Sequence, residues 1–132
     1  MRCGIDFGTS NTTMAVVYPD KPSLVPLEQN KVTIPTALFF PEEKDKPILF
    51  GRAAQNAYLE GRDGRLLRSL KRILGTSLMD QTTLLQGVRW SFPHILQKFL
   101  AHIKQTGEEA LGQALDSATI GRPVHFQDND AE

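Results

Sequence analysis

Apolar positions alternate along the first part of the chain and recur at helical spacing further on, with the change of period near Gly51. Residues 3–7 and 13–18 are two short β-prone runs with the turn formers Gly8-Thr9-Ser10-Asn11 between them. Alternation broken by small hydroxyl and glycine residues predicts a β-hairpin. Pro19-Asp20-Lys21-Pro22 closes the second run with strong turn chemistry. Residues 23–27 and 36–40 predict further strands, the second bracketed by Pro35 and Pro41. The charged stretch 42–46 reads as a solvated turn, and the apolar run 48–50 ends at Gly51.

Beyond Gly51 the period approaches 3.6. Residues 53–59 predict a short helix, broken near Gly61 and Gly64. Leu66, Leu67, Leu70, Ile73 and Leu74 fall at helical spacing, with Gly75 as a C-terminal stop. Residues 76–89 have no clear period and predict a loop with some extended structure. Phe92, Ile95, Leu96, Phe99, Leu100 and Ile103 mark one apolar face, with Pro93 suited to a first turn. Gly107 is expected to interrupt that helix, with Ala110, Leu111 and Leu115 continuing it after a kink or in a second one. Residues 118–124 predict a last strand. The acidic run 128–132 favours a helix start with no helix after it, so the ending reads as a cut.

Composition narrows the class. The 132 residues are 40% hydrophobic and 23% charged, which suits one globular domain with a core. Fifteen basic and fifteen acidic residues cancel, leaving no electrostatic footprint for nucleic acid or an anionic membrane. An anionic ligand must then be held by a local site. Cys3 is the only cysteine, which excludes an internal disulfide and a cysteine-based zinc site. It reads as a small core residue. A charge at Asp6 interrupts any secretory h-region, and no apolar stretch is long enough to span a bilayer. The expected location is cytoplasmic.

The candidate chemistry lies at Gly4-Ile5-Asp6-Phe7-Gly8-Thr9-Ser10-Asn11-Thr12-Thr13. An acidic residue at the end of a buried strand meets a tight turn of glycine and hydroxyl residues. Glycine allows close backbone approach, successive N–H groups can face an anion, and Thr9 or Ser10 can add donors. Asp6 beside such a grip would hold magnesium through its waters. The same residues also read as a plain hairpin turn with an exposed aspartate. Asp6-Phe7-Gly8 spells the kinase magnesium motif, but a kinase places it after an entire nucleotide-binding lobe, so residue 6 excludes it. An aspartic-protease motif fits poorly with a chain that is about one third helical in pattern. His94, His102 and His125 lack metal-site spacing, and Trp90 reads as a packing anchor.

The loop Gly4 to Asn11 resembles the first phosphate loop of the DnaK-type (70 kDa heat-shock) chaperones, whose ATPase domain has an actin-like fold. The similarity continues in order through residues 32–40 (Val32-Thr33-Ile34-Pro35-Thr36 and the strand after it), Leu49-Phe50-Gly51-Arg52-Ala53-Ala54, Leu70-Lys71-Arg72-Ile73-Leu74-Gly75 and residues 118–126 around Gly121-Arg122-Pro123. Phe7, Ser10-Asn11 and Gly121-Arg122-Pro123 are similar to the divergent YegD-like branch. The resemblance implies a mixed α/β chain with an actin-like ATPase (ribonuclease H-like) fold. It implies the first lobe only, with a core at 1–35 and 92–132 and an inserted small subdomain at 36–91.

It also implies ATP or ADP with magnesium as ligands in a longer parent protein. Gly8, Thr9, Ser10 and Asn11 would bind the nucleotide, Asp6 would hold magnesium and act in catalysis, and Lys71 would orient the attacking water near the γ-phosphate. Read without the resemblance, Lys71 is a solvated base near a helix C-terminus. Pro123, with Arg122, would begin the turn that relays nucleotide state; as a plain feature it ends a strand.

A second phosphate loop is not evident: Asp63-Gly64, flanked by Arg62 and Arg65, is a poor candidate. The chain alone is therefore expected to be too short to work as an ATPase and to bind ATP weakly. Its exposed lobe surface is expected to favour self-association. Through the parent it would serve stress-response chaperone function, with unfolded clients or co-chaperones as partners. The competing reading is a non-enzymatic interaction module on the same scaffold.

Overall fold

The alternating start of the chain builds the main sheet. A computed structural model describes residues 1–17, 21–73, 76 and 80–121. Strand β1 (Arg2–Phe7) pairs antiparallel with β2 (Asn11–Val17), Cys3 lying opposite Val16 and Phe7 opposite Thr12. Cys3, Ile5 and Phe7 from β1 and Thr12, Met14 and Val16 from β2 are all buried, as period-two patterning requires. β3 (Pro22–Leu24) and β4 (Thr33–Pro35) both pair with β2. The strand expected at 23–27 is thus shorter and shifted, although Val25 and Leu27 beyond it remain buried.

β5 (Ala37–Pro41) is buried at every position and forms the centre of a second sheet. β6 (Leu49–Phe50) lies on one edge and α1 (Arg52–Leu59) follows it, setting Ala54 and Ala57 against Phe39 and Ala37. On the other edge lies β7 (Gly64–Arg68), where the spacing of residues 66–74 predicted a helix. The backbone groups of a buried central strand must be hydrogen-bonded, and pairing with the second edge of β5 satisfies them. Only a 3₁₀ turn, Leu70–Ile73, survives of the expected helix; Leu74 and Gly75 lie outside the described residues.

Part of the stretch expected to be a loop is a hairpin, β8 (Thr82–Leu85) with β9 (Val88–Ser91). Gln86 and Gly87 at its tip have φ of 52° and 76°, the pair of left-handed residues that suits a two-residue turn. α2 (Phe92–Leu111) then runs unbroken for 20 residues. Ser91 caps it, accepting from the His94 N–H at 3.2 Å, and Pro93 sits in the first turn. Gly107 does not interrupt it. That residue is buried, and a Cβ there would come within 2.6 Å of Met14 Sδ, so its role is to let the helix approach β2. β10 (Ser117–Gly121) closes the path by pairing in parallel with β1, giving the order β10-β1-β2-β3 with β4 also on β2.

Ile95, Phe99 and Ile103 of α2 pack over the sheet in one cluster with Ile5, Phe7 and Met14, the Phe7 and Phe99 rings lying 6.1 Å apart. The same cluster reaches Leu38, Phe40 and Trp90, so both sheets share one core. Trp90 is the packing anchor expected of it, edge-on to Phe40 at 5.3 Å. His102 stacks on Phe50 at 4.2 Å, and burial pushes its pKa below the usual imidazole value, partly opposed by Glu28 and Glu109. Among the described residues no group of His, Cys, Asp and Glu could hold a metal ion, and no helix is long and apolar enough to cross a membrane.

Candidate functional site

The β1–β2 turn closes tightly. The Gly8 N–H donates to the Asn11 carbonyl at 3.0 Å, and a Cβ on Gly8 would run into that same oxygen, so glycine is required by the close approach. Thr36, between β4 and β5, holds the turn from below. Its N–H donates to the Ser10 carbonyl at 3.0 Å and its hydroxyl donates to the Gly8 carbonyl at 3.0 Å. With its proton spent on Gly8, the Thr36 oxygen can accept from the Thr12 hydroxyl, 2.8 Å away. Both threonine side chains are buried, so the bond between them is shielded from water.

The turn borders a polar cleft of about 370 Å³. Thr9, Ser10 and Thr36 line it together with Gln55 from α1 and with Arg68 and Ser69 from the end of β7. The lining holds four hydroxyls, one amide, one guanidinium and no carboxylate. Such a set can receive a multiply charged oxyanion.

The sequence-predicted residues fall in three places. Thr9 and Ser10 line the cleft, whereas Gly8 and Asn11 frame the turn beneath it. Asp6 lies near the end of β1, in register with Thr13 and Gly121, and is exposed while its neighbours Ile5 and Phe7 are buried. Among the described residues no hydrogen bond or ion pair engages its carboxylate, and it does not line the cleft. Lys71 is half-buried in the 3₁₀ turn with its Nζ inside the protein, three positions past Arg68 and also off the cleft wall. Arg122, Pro123 and His125 lie outside the described residues.

Thr36, Gln55, Arg68 and Ser69 were not singled out by sequence reasoning. The helical reading of residues 66–74 hid the Arg-Ser pair, because only a strand that ends at Arg68 delivers it beside the loop. A threonine directly after a proline, between two strands, was the visible trace of the Thr36 anchor. Thr36→Val keeps the shape but leaves the Gly8 carbonyl and the Thr12 hydroxyl short of a buried partner. The expected loss of stability is about 1–3 kcal/mol. Denaturant unfolding should show it, and Thr36→Ser should retain most of the wild-type value.

Comparison with known proteins places the chain. Residues 2–132 match the family model described as Hsp70 protein. The chain is 30% identical over 125 residues to chaperone protein DnaK of Halobacterium salinarum, covering 95% of this chain and 19% of that protein. It is also 30% identical over 125 residues to chaperone protein DnaK of Ureaplasma urealyticum serovar 10, covering 95% of this chain and 20% of that one. For chaperone protein DnaK of Ureaplasma parvum serovar 3 the figures are again 30%, 95% and 19%. The chain thus spans about a fifth of the length of these curated relatives. Its mixed α/β arrangement agrees with part of an actin-like ATPase lobe. Matched by the family model along residues 2–132, the chain belongs to the Hsp70 protein family.

Proposed function

We propose that this chain supplies the first phosphate loop and the phosphate-orienting lysine of an ATP-binding and ATP-hydrolysing chaperone-like protein. The observation that carries this reading is the polar cleft where Thr9 and Ser10 meet a guanidinium and no carboxylate. In this reading the core is 1–35 with 92–132, and 36–91 is an inserted subdomain that brings Gln55 and Arg68 over the loop. The YegD-like branch remains the assignment suggested by Phe7, Ser10-Asn11 and Gly121-Arg122-Pro123.

The residues fit a magnesium nucleotide. Thr9 and Ser10 present hydroxyl donors at the cleft, and Asp6 offers an exposed carboxylate near the end of the strand that leads into the turn. Magnesium, when bound, neutralises charge on the phosphate oxygens and orders water around them. Thr9 and Ser10 grip phosphate oxygens, Asp6 accepts hydrogen bonds from waters beside the grip, and Lys71 orients the attacking water. A lysine with a buried ammonium, close in the chain to the cleft, suits stabilising charge that develops during transfer. Nucleotide, unfolded clients and co-chaperones are the partners of the whole protein in this reading, and the cytoplasm its place.

ATP turnover by the protein at its natural full length tests this. Lys71→Ala is expected to lower kcat about 10²–10³-fold with a smaller change in KM. Turnover unchanged by Lys71→Ala, or no turnover at all, would sink the hydrolytic reading.

A non-enzymatic interaction module is the second reading. The observation behind it is an apolar groove of about 410 Å³ between α2 and the β1–β10 pair, lined by Ile5, Met14, Leu96, Leu100, Leu115 and Ile120 among others. Such a surface calls for a cover, and self-association of this length of chain, expected of an exposed lobe in either reading, would supply one. Absence of any magnesium-ATP binding would favour it over the first.

A further inference from the structure

Arg68 was not assigned a role by the loop motif or by the family match. It is the last residue of β7 and is exposed, while Leu70 two positions on is buried. Between them Ser69 has φ of 58°, a left-handed conformation unusual for a serine. That residue turns the chain from the strand into the 3₁₀ turn, so that Leu70 enters the core and Arg68 stays on the cleft wall. Among the described residues no carboxylate forms an ion pair with Arg68, and none shares the cleft with it. A guanidinium that lines the same cleft of about 370 Å³ as Thr9 and Ser10 has the charge and planar fork to take two oxygens of one phosphate.

We infer that Arg68 is a ligand for the outermost phosphate of the bound nucleoside triphosphate and makes this cleft select triphosphate over diphosphate. The inference rests on the nucleotide reading above. Thr9 and Ser10 offer hydroxyl donors that any phosphate can use. The β7 side adds the one full positive charge on the lining. A triphosphate brings one more negative charge and one more set of oxygens to that group than a diphosphate held at the same loop, so the guanidinium favours the triphosphate. The lining contains no aromatic or large aliphatic side chain, so it accommodates the polyphosphate end of a nucleotide rather than its base. Ser69 adds a hydroxyl on the same wall.

Calorimetric titration of magnesium-ATP, magnesium-ADP and inorganic tripolyphosphate into the full-length protein tests the inference. Removing one charge-assisted contact should weaken binding roughly ten- to a hundredfold. Arg68→Gln is therefore expected to lose that much affinity for ATP and tripolyphosphate while ADP changes less than about threefold. Arg68→Lys should recover part of the loss, because charge returns without the fork. Arg65→Gln is the control: Arg65 lies on the same strand, but its guanidinium bonds to the Thr83 hydroxyl and it does not line this cleft. Equal losses in Arg65→Gln and Arg68→Gln would reduce the effect to general electrostatics and overturn the inference. Unchanged ATP affinity in Arg68→Gln, or equal weakening of ATP and ADP, would also overturn it while leaving the nucleotide site intact. A wild-type protein that binds none of the three ligands would remove the nucleotide reading itself. Thermal melts of each variant verify that the exposed substitutions leave the fold in place.

Discussion

Phe99→Ala is expected to cost about 3–5 kcal/mol of stability. Phe99 is wholly buried at the middle of α2, with Ile95 and Ile103 one turn to either side and the Phe7 ring 6.1 Å away. Truncation removes the transfer free energy of the ring and leaves a cavity between a 20-residue helix and a sheet, neither of which can close it by a local shift. A domain of this size has only about 5–15 kcal/mol in total, so the variant should sit near the edge of folding at 37 °C. Guanidinium unfolding with matched m-values would measure the difference, and Phe99→Leu should lose clearly less. A loss below about 1 kcal/mol would mean that α2 does not seat on β1 as described.

Gly51→Ala is the second large effect, for a different reason. Gly51 has φ of 64° and ψ of −132°, a backbone conformation nearly closed to residues with a Cβ. A Cβ there would also strike Glu28 Oε2 and Ile34 Cγ1, with Ile34 Cδ1 only 2.7 Å away. Strain of about 1–3 kcal/mol adds to overpacking of about 1–3 kcal/mol. The position is a joint: the Glu28 carboxylate accepts from the Arg52 N–H at 2.7 Å and pairs with the Arg52 guanidinium, which in turn donates to the Thr33 carbonyl at 2.9 Å. The start of α1 is thereby fastened to β4, and α1 carries Gln55 to the cleft. Glu28→Ala alone should lose the cap and the ion pair, while Glu28→Ala with Gly51→Ala should cost less than the two added together, because one clash partner has gone. Strict additivity in chemical denaturation would contradict this geometry.

Local signals in the sequence located much of the fold. The β1–β2 hairpin followed from alternation around Gly8-Thr9-Ser10-Asn11, and α1 and the start of α2 followed from apolar spacing with Gly51 and Pro93 as punctuation. The β7 strand, the β8–β9 hairpin and the passage of α2 through Gly107 were not legible. Leu66, Leu67 and Leu70 fit either period, and what decided between them was an open edge on β5, a strand nearly thirty residues earlier. Gly107 looks like a breaker until Met14, more than ninety positions away, is placed against it.

The site divides in the same way. The turn was legible locally, because a glycine and small hydroxyls specify a tight reversal through steric and hydrogen-bonding preferences that act within a few residues. Family membership is also readable from order and identity along residues 2–132. Long-range pairing brings Thr36 to lock the loop, puts Arg68 in one cleft with Thr9 and Ser10, and leaves Asp6 and Lys71 off its lining. These facts depend on which strand edges pair and which faces share a core, and such long-range choices leave no periodic trace in the segments they join.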